Sequence, residues 1–193
     1  NNTTATYNLA LGYRALRDNT TSGSNVAVGA EALQSHVSGN GANIAIGAGA
    51  MQQGSGGKQR NHAIGYRSQF QNDTGIGNVS NGYLSLQNNV NGDYNVAIGF
   101  ESMKSASGNS HSNNVGIGYQ SLRNITTATN NSALGYQALK SVTTGSSNVA
   151  IGKQALDSAT IVTSNVAVGA LALKDNVSGN YNTAVGQSCL LTN

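Results

Sequence analysis

Residues 24–33 read SNVAVGAEAL, and residues 147–156 read SNVAIGKQAL. Two nearly identical decapeptides so far apart make an internal period the first thing to seek, because a short period decides the whole architecture. With the glycine of each such stretch as marker, the series runs Gly12, Gly29, Gly47, Gly65, Gly82, Gly99, Gly118, Gly135, Gly152, Gly169 and Gly186. Successive markers lie 17 to 19 residues apart, which gives eleven copies with no spacer between them. Four residues before every marker stands an asparagine: Asn8, Asn25, Asn43, Asn61, Asn78, Asn95, Asn114, Asn131, Asn148, Asn165 and Asn182.

Between asparagine and glycine the pattern is apolar, small, apolar. The residue before the glycine is Leu, Val or Ile in every copy but one, where Asn81 departs. Three before the glycine, His62, Ser132 and Thr183 depart from Val, Ile or Leu. The middle position is always small, Ala except at Ser80 and Gly116. Alternation of period two predicts a strand with the branched residues on one side and Asn and Ala on the other. After the glycine come two variable residues, then Ala, Ser or Cys, then Leu or Met, with Gln69 as the exception. A run such as GYQAL suits a second short strand with Leu in the core, or a single helical turn; the strand is the expectation. The remaining eight to ten residues of each unit are rich in Ser, Thr, Asn and Gly, which are turn formers, and read as surface loops.

A unit of about 17 residues is too short to enclose a core, but stacked units cover one another. The expectation is therefore an all-β fold, a parallel β-solenoid of eleven coils, with residues 1–193 as one repeat domain and a segment of a longer fibre protein. Coils ~4.8 Å apart give a rod on the order of 50 Å long. Like residues then stack, so the eleven asparagines are read as a structural ladder bonded amide to carbonyl, and the eleven glycines as the points where the chain turns. With Val and Ile inside, a ridge of Ala would face outward and let another backbone approach closely. With Ala inside, the Val/Ile face would meet a partner chain. The first arrangement is the expectation, and either one implies self-association.

Composition excludes other classes. Charged residues are only 9% of the chain, against about a quarter in typical domains. Aliphatics at fixed places argue against disorder. The net charge of +3 is scattered, which gives no nucleic-acid footprint. No apolar stretch is long enough for membrane insertion as a helix. The single cysteine, Cys189, leaves no internal disulfide framework. The chain opens on polar NNTTATYN without an initiator methionine, and is read as a mature product or part of something longer.

The sequence offers no constellation for catalysis. His36, His62 and His111 fall at different phases of the repeat, and Asp18, Asp157 and Asp175 are read as lying apart, so paired-carboxylate chemistry is not expected. No zinc or calcium spacing is present and no cofactor is implied. One column invites a ligand. The residue after the glycine is aromatic at Tyr13, Tyr66, Tyr83, Phe100, Tyr119 and Tyr136. Tyr83, Phe100, Tyr119 and Tyr136 are nearly continuous, and with Tyr66 they are candidate glycan-binding residues if their faces form a strip for sugar rings; otherwise they pack over a turn or an inter-chain seam. The longest loop, KSASGNSHSN at 104–113, and QQGSGGKQR at 52–60 are further candidate contacts.

The stretches NVAVG, NIAIG, NVAIG and NTAVG resemble the NSVAIG-type repeat of YadA-like head domains in trimeric autotransporter adhesins. The longer unit, GYQSL or GYQAL followed by a Thr/Gly loop and the next NVAIG, is similar to repeat regions of phage tail fibres. The resemblance implies a left-handed β-roll assembled as a homotrimer. It further implies an extracellular fibre, on a virion or a cell surface, that contacts a host or bacterial surface glycan or protein receptor. The phage tail fibre is the first expectation and the bacterial adhesin head the second. An ice- or surface-binding solenoid is a third, although the Thr residues lie in irregular loops.

Overall fold

The computed structural model describes residues 4–106 and 108–192. Eleven strands of three residues each follow one another: β1 (Leu9–Leu11), β2 (Val26–Val28), β3 (Ile44–Ile46), β4 (His62–Ile64), β5 (Val79–Asn81), β6 (Val96–Ile98), β7 (Val115–Ile117), β8 (Ser132–Leu134), β9 (Val149–Ile151), β10 (Val166–Val168) and β11 (Thr183–Val185). They form one sheet in chain order, every neighbouring pair parallel and in the register of the repeat, so that Ala27 pairs with Ala10 and with Ala45. The fold is an all-β parallel β-solenoid of about ten turns, with no helix among the described residues. The ladder bonds recur without drift: the Val26 N–H donates to the Asn43 carbonyl and the Gly47 N–H to the Val28 carbonyl, both at 2.8 Å.

The two sides of the sheet are the reverse of the expected arrangement. The middle residues point inward, from Ala27 to Ala184 at essentially zero exposure, while Val79, Ile98, Ile151 and their equivalents face out. Size decides this rather than hydrophobicity. The opposite wall of each coil brings in its Leu or Met, such as Leu33, Met51, Leu139 and Leu156, all fully buried. A narrow coil has room for one large column and must set a small one against it, as close packing requires. No ridge of alanines lies on the surface.

Two departures inside the coil are matched across it. Gln69, in the Leu column, donates through Nε2 to Ser80 Oγ at 3.0 Å, and Ser80 is the one hydroxyl in the Ala column. Asn72 Nδ2 in turn donates to Gln69 Oε1 at 3.0 Å, so the buried amide is bonded through both ends. Gly116 stands in the same column beside Met103, where an added Cβ would come within 2.9 Å of Met103 Cε. At these two places a polar or larger residue on one wall is answered by a polar or smaller one on the other.

The GYQAL segment is neither a second strand nor a helical turn. It is a run of tight turns in which every second residue takes positive φ, as at Gln137 (55°) and Leu139 (51°). Its amides alternate in direction. Ala138 N–H bonds back to Gly135 O within the coil at 3.5 Å, and Leu139 N–H donates to Ala155 O of the next coil at 3.0 Å. The residue before each asparagine also has positive φ, as at Ser147 (60°) and Asn130 (60°).

Nor are the Ser/Asn-rich stretches only surface loops. In each coil two of their positions line the interior. Towards the C-terminus these are apolar, Ile125 and Ala128, Val142, Ala159 and Val162, until the last coil, where Asn176 is buried. Towards the N-terminus they are polar: Asn19 and Ser22, His36, Lys58, Asn72, Asn89 and His111. The buried asparagines tie down their own loops, as where Asn72 Oδ1 accepts from the Gly75 N–H at 2.8 Å.

The repeated asparagines are buried from Asn25 to Asn165 and form a continuous ladder. Each Oδ1 accepts the backbone N–H of the next asparagine, through ten rungs of 2.8–3.1 Å. In most coils the Nδ2 also donates to the Oδ1 one coil back, and to the loop carbonyl 14 residues on, as from Asn114 to Ala128 O at 2.9 Å. The marker glycines turn at φ between +127° and +146°. At Gly118 an added Cβ would lie 2.4 Å from the Gly135 carbonyl oxygen, so both backbone conformation and coil spacing demand glycine.

Two substitutions test this frame. Asn114→Ala strands the Asn131 N–H and the Ala128 carbonyl inside the coil, and is expected to cost about 2–6 kcal/mol at 1–3 kcal/mol per unsatisfied group. Gly118→Ala is expected to cost at least about 1–3 kcal/mol from its backbone conformation alone. Urea unfolding followed by circular dichroism reads both, and an unchanged midpoint for Asn114→Ala would show that the rungs carry no stability.

Candidate binding surfaces

The outward side of the sheet carries two columns. One runs Leu9, Val26, Ile44, His62, Val79, Val96, Val115, Ser132, Val149, Val166 and Thr183; the other runs Leu11, Val28, Ile46, Ile64, Asn81, Ile98, Ile117, Leu134, Ile151, Val168 and Val185. Eighteen of these 22 residues are branched aliphatics. Their exposure, 38% at Ile98 and 48% at Leu134, persists along the sheet. An apolar strip of this length is uncommon on a solitary protein, whose exposed aliphatics are usually scattered.

One residue past the glycine lies the aromatic column. Tyr66, Tyr83, Phe100, Tyr119 and Tyr136 stack with centroids 5.0–5.4 Å apart and planes within 13°. The coil spacing sets that separation, and each contact adds about 0.5–1.5 kcal/mol beyond area burial. Stacking uses up the ring faces within the column, so that only the end rings, Tyr66 and Tyr136, keep a face without a ring against it. Tyr13 stands apart, because Ala30 and Ala48 occupy the column between it and Tyr66. The stack ends at Tyr136, where Lys153 takes the place of a ring and, with Gln154, lines a shallow recess.

An amide chain runs beside the rings. Gln154 Nε2 donates to Gln137 Oε1 (3.3 Å), Gln137 to Gln120 (3.0 Å), and Gln120 to Glu101 Oε2 (2.9 Å). Glu101 also accepts from Lys104 Nζ and Arg123 Nε, both at 2.8 Å. Burial pushes this carboxyl up, but the bonds from Lys104, Arg123 and Gln120 outweigh it and hold the group at about 2. No family model, curated protein or solved structure matches the chain. The surfaces are therefore read from their own geometry.

The two candidate loops border one groove. Gln53, Gly54 and Ser55 of the 52–60 stretch line one groove with Gly108 of the 104–113 stretch, together with Ser35, Gln71, Asp73 and Val90. Ser107 of the longer loop lies outside the described residues. Asp73 Oδ1 accepts the Gly56 N–H at 2.7 Å and holds the loop against its neighbour.

Of the acidic residues, Asp157 and Asp175 lie on neighbouring coils rather than apart as read from the sequence. Burial, chiefly, raises the Asp157 carboxyl, and Asp175 acts in the same sense against Lys140 and Lys174. Asp18 is held low by its bond from Arg17. Among the described residues, no three His, Cys, Asp or Glu side chains gather as metal ligands would.

Sequence reasoning missed the buried cations. Lys58 lies wholly inside, and its Nζ donates to the carbonyls of Gln53 (2.8 Å), Gly54 (2.6 Å) and Asn72 (3.0 Å). Burial pushes its pKa down to about 7, with Asp73 opposing. Burial also lowers His36, beside Lys58, to about 4 and His111 to about 3. His36 Nε2 pairs with Ser22 Oγ at 2.6 Å, whereas neither ring nitrogen of His111 meets a protein partner. A lysine in a Gly-rich loop carries no sequence mark of burial; only its phase, three residues before Asn61, gives it away.

These shifts fix a pH response. Between its folded and unfolded pKa each depressed base binds more protons unfolded, so stability rises with pH across that interval. For the histidines the interval runs from about 3–4 to the ordinary 6.5, and for Lys58 from about 7 to the ordinary 10.5. Glu101 adds a loss as pH falls from the ordinary 4.5 towards about 2. The urea midpoint is expected to climb between pH 7 and pH 10 in the parent protein and to stay flat over that range in Lys58→Met. His111→Leu is expected to lessen the fall between pH 6.5 and 4.

Proposed function

We propose that the chain is a structural and receptor-binding segment of a trimeric extracellular fibre, with a phage tail fibre as the first assignment. The observation that carries this reading is the outward Val/Ile strip. It runs the whole length of the sheet at the strand spacing, so it is matched rung for rung by a surface of the same axial period, and another copy of this chain supplies one. The repeat resemblance adds the number of chains and the left-handed roll. The head domain of a bacterial trimeric adhesin rests on the same strip and the same motif, and a membrane anchor elsewhere in its gene would distinguish it. Nothing in the geometry favours ice binding, which calls for a flat array of one polar motif.

In this reading the strip is covered and the loop groove, ring edges and Tyr136 recess remain for a surface glycan or protein receptor. Each contact is shallow, but three copies on one rod raise avidity by making later contacts intramolecular. Native mass spectrometry is expected to give three chain masses. Ile98→Lys with Ile117→Lys is expected to give a monomer that keeps the β circular-dichroism spectrum. A parent protein that is monomeric would overturn the reading.

A further inference from the structure

The outward strip departs from branched aliphatics at four positions, and the two largest polar side chains among them fall on adjacent coils. His62 interrupts the first column on β4 and Asn81 the second on β5. Both are exposed, and neither side chain has a hydrogen-bond partner among the described residues, although the inward groups around them, Gln69 and Ser80, are bonded to each other. Their neighbours along the columns are apolar: Ile44 and Val79 flank His62, and Ile64 and Ile98 flank Asn81.

A uniform strip poses a registration problem. Copies displaced by one coil still face each other along ten of eleven rungs, so aliphatic contact alone discriminates weakly between alignments. We infer that His62 and Asn81 are the register-setting layer of the assembly, the feature by which one copy of this chain recognises the matching coil of another. In register, Asn81 meets Asn81 and His62 meets His62 about the symmetry axis. A carboxamide is both donor and acceptor, and a neutral imidazole likewise, so each layer is self-complementary. Displaced by one coil, Asn81 meets Ile64 or Ile98, and a polar group is buried without a partner. A single buried Asn fixes alignment in coiled coils in the same manner. Ser132 and Thr183 are smaller interruptions and are not assigned this role.

This inference rests on the proposed self-association through the strip. The test uses the full chain in a Cys189→Ser background, with a cysteine at Ile98 in one preparation and at Ile117 in another of distinguishable mass. The two are refolded together and oxidised. With His62 and Asn81 present, 98–98 and 117–117 disulfides are expected and 98–117 disulfides should be near background. His62→Val with Asn81→Ile, which restores the strip's own consensus, is expected to raise the 98–117 product about tenfold while trimer mass is retained. Ser132→Val should leave the pattern unchanged. Unaltered linkage in the double variant, mixed linkage in the parent, or mixing caused by Ser132→Val alone would each overturn the assignment. A monomeric parent by native mass would instead remove the assembly itself, an outcome recognisable before any linkage is read.

Discussion

Everything in this rod depends on a buried amide that bonds along the stack. An asparagine inside a narrow coil has two donors and an acceptor to satisfy, and leaving any of them bare is expensive in a dry interior. The fold satisfies them by placing another asparagine directly above and below, with the backbone N–H of one on the Oδ1 of the last. That requirement fixes the rotational phase of every coil. Once the phase is fixed, alanines lie over alanines, leucines over leucines, and glycines over glycines at a spacing that admits no side chain between them.

The same constraint accounts for the backbone elsewhere. A left-handed residue other than glycine costs about 1–2 kcal/mol, yet three columns of them pass through each coil, occupied by residues such as Ser147, Gln154 and Leu156. They persist because a 17-residue circuit must reverse direction several times while sending every second amide to its neighbour. Coil-to-coil bonding and the burial of Leu or Met offset the local cost. Isolated, one unit would have neither term, consistent with the near-neighbour energetics of solenoids.

Much of this was legible in the residues, and the illegible part has a physical cause. Asn and Gly at fixed phase, with apolar–small–apolar between them, announced stacked parallel strands. Which side of the strand faces in was not readable from alternation alone, because Ala10 to Ala184 recur as regularly as the valines and isoleucines around them. The answer depends on the width of the coil, and that is set by the segment carrying Leu16 to Leu190. That segment departs from the expected strand, since residues with no intrinsic taste for positive φ adopt it under tertiary constraint. The interior positions of the loops, such as His36, Lys58 and Ile125, follow no residue-type rule and become visible only by counting phase. Likewise the aromatic column was visible, but only the coil spacing shows that its ring faces are taken.

The paired exceptions at Gln69 and Ser80 have a mechanical side. The apolar interior falls into two bodies, one from Leu16 to Ala63 and the other from Leu86 to Ala184, and the hydroxyl and amide groups of Ser68, Gln69, Ser80 and Ser85 fill the gap between. Hydrogen bonds give way over a shorter distance than a greasy contact, and water can replace them as they part. Loaded along its axis, such a rod has a fault line at a defined height, where it would fracture into two blocks before either came apart coil by coil.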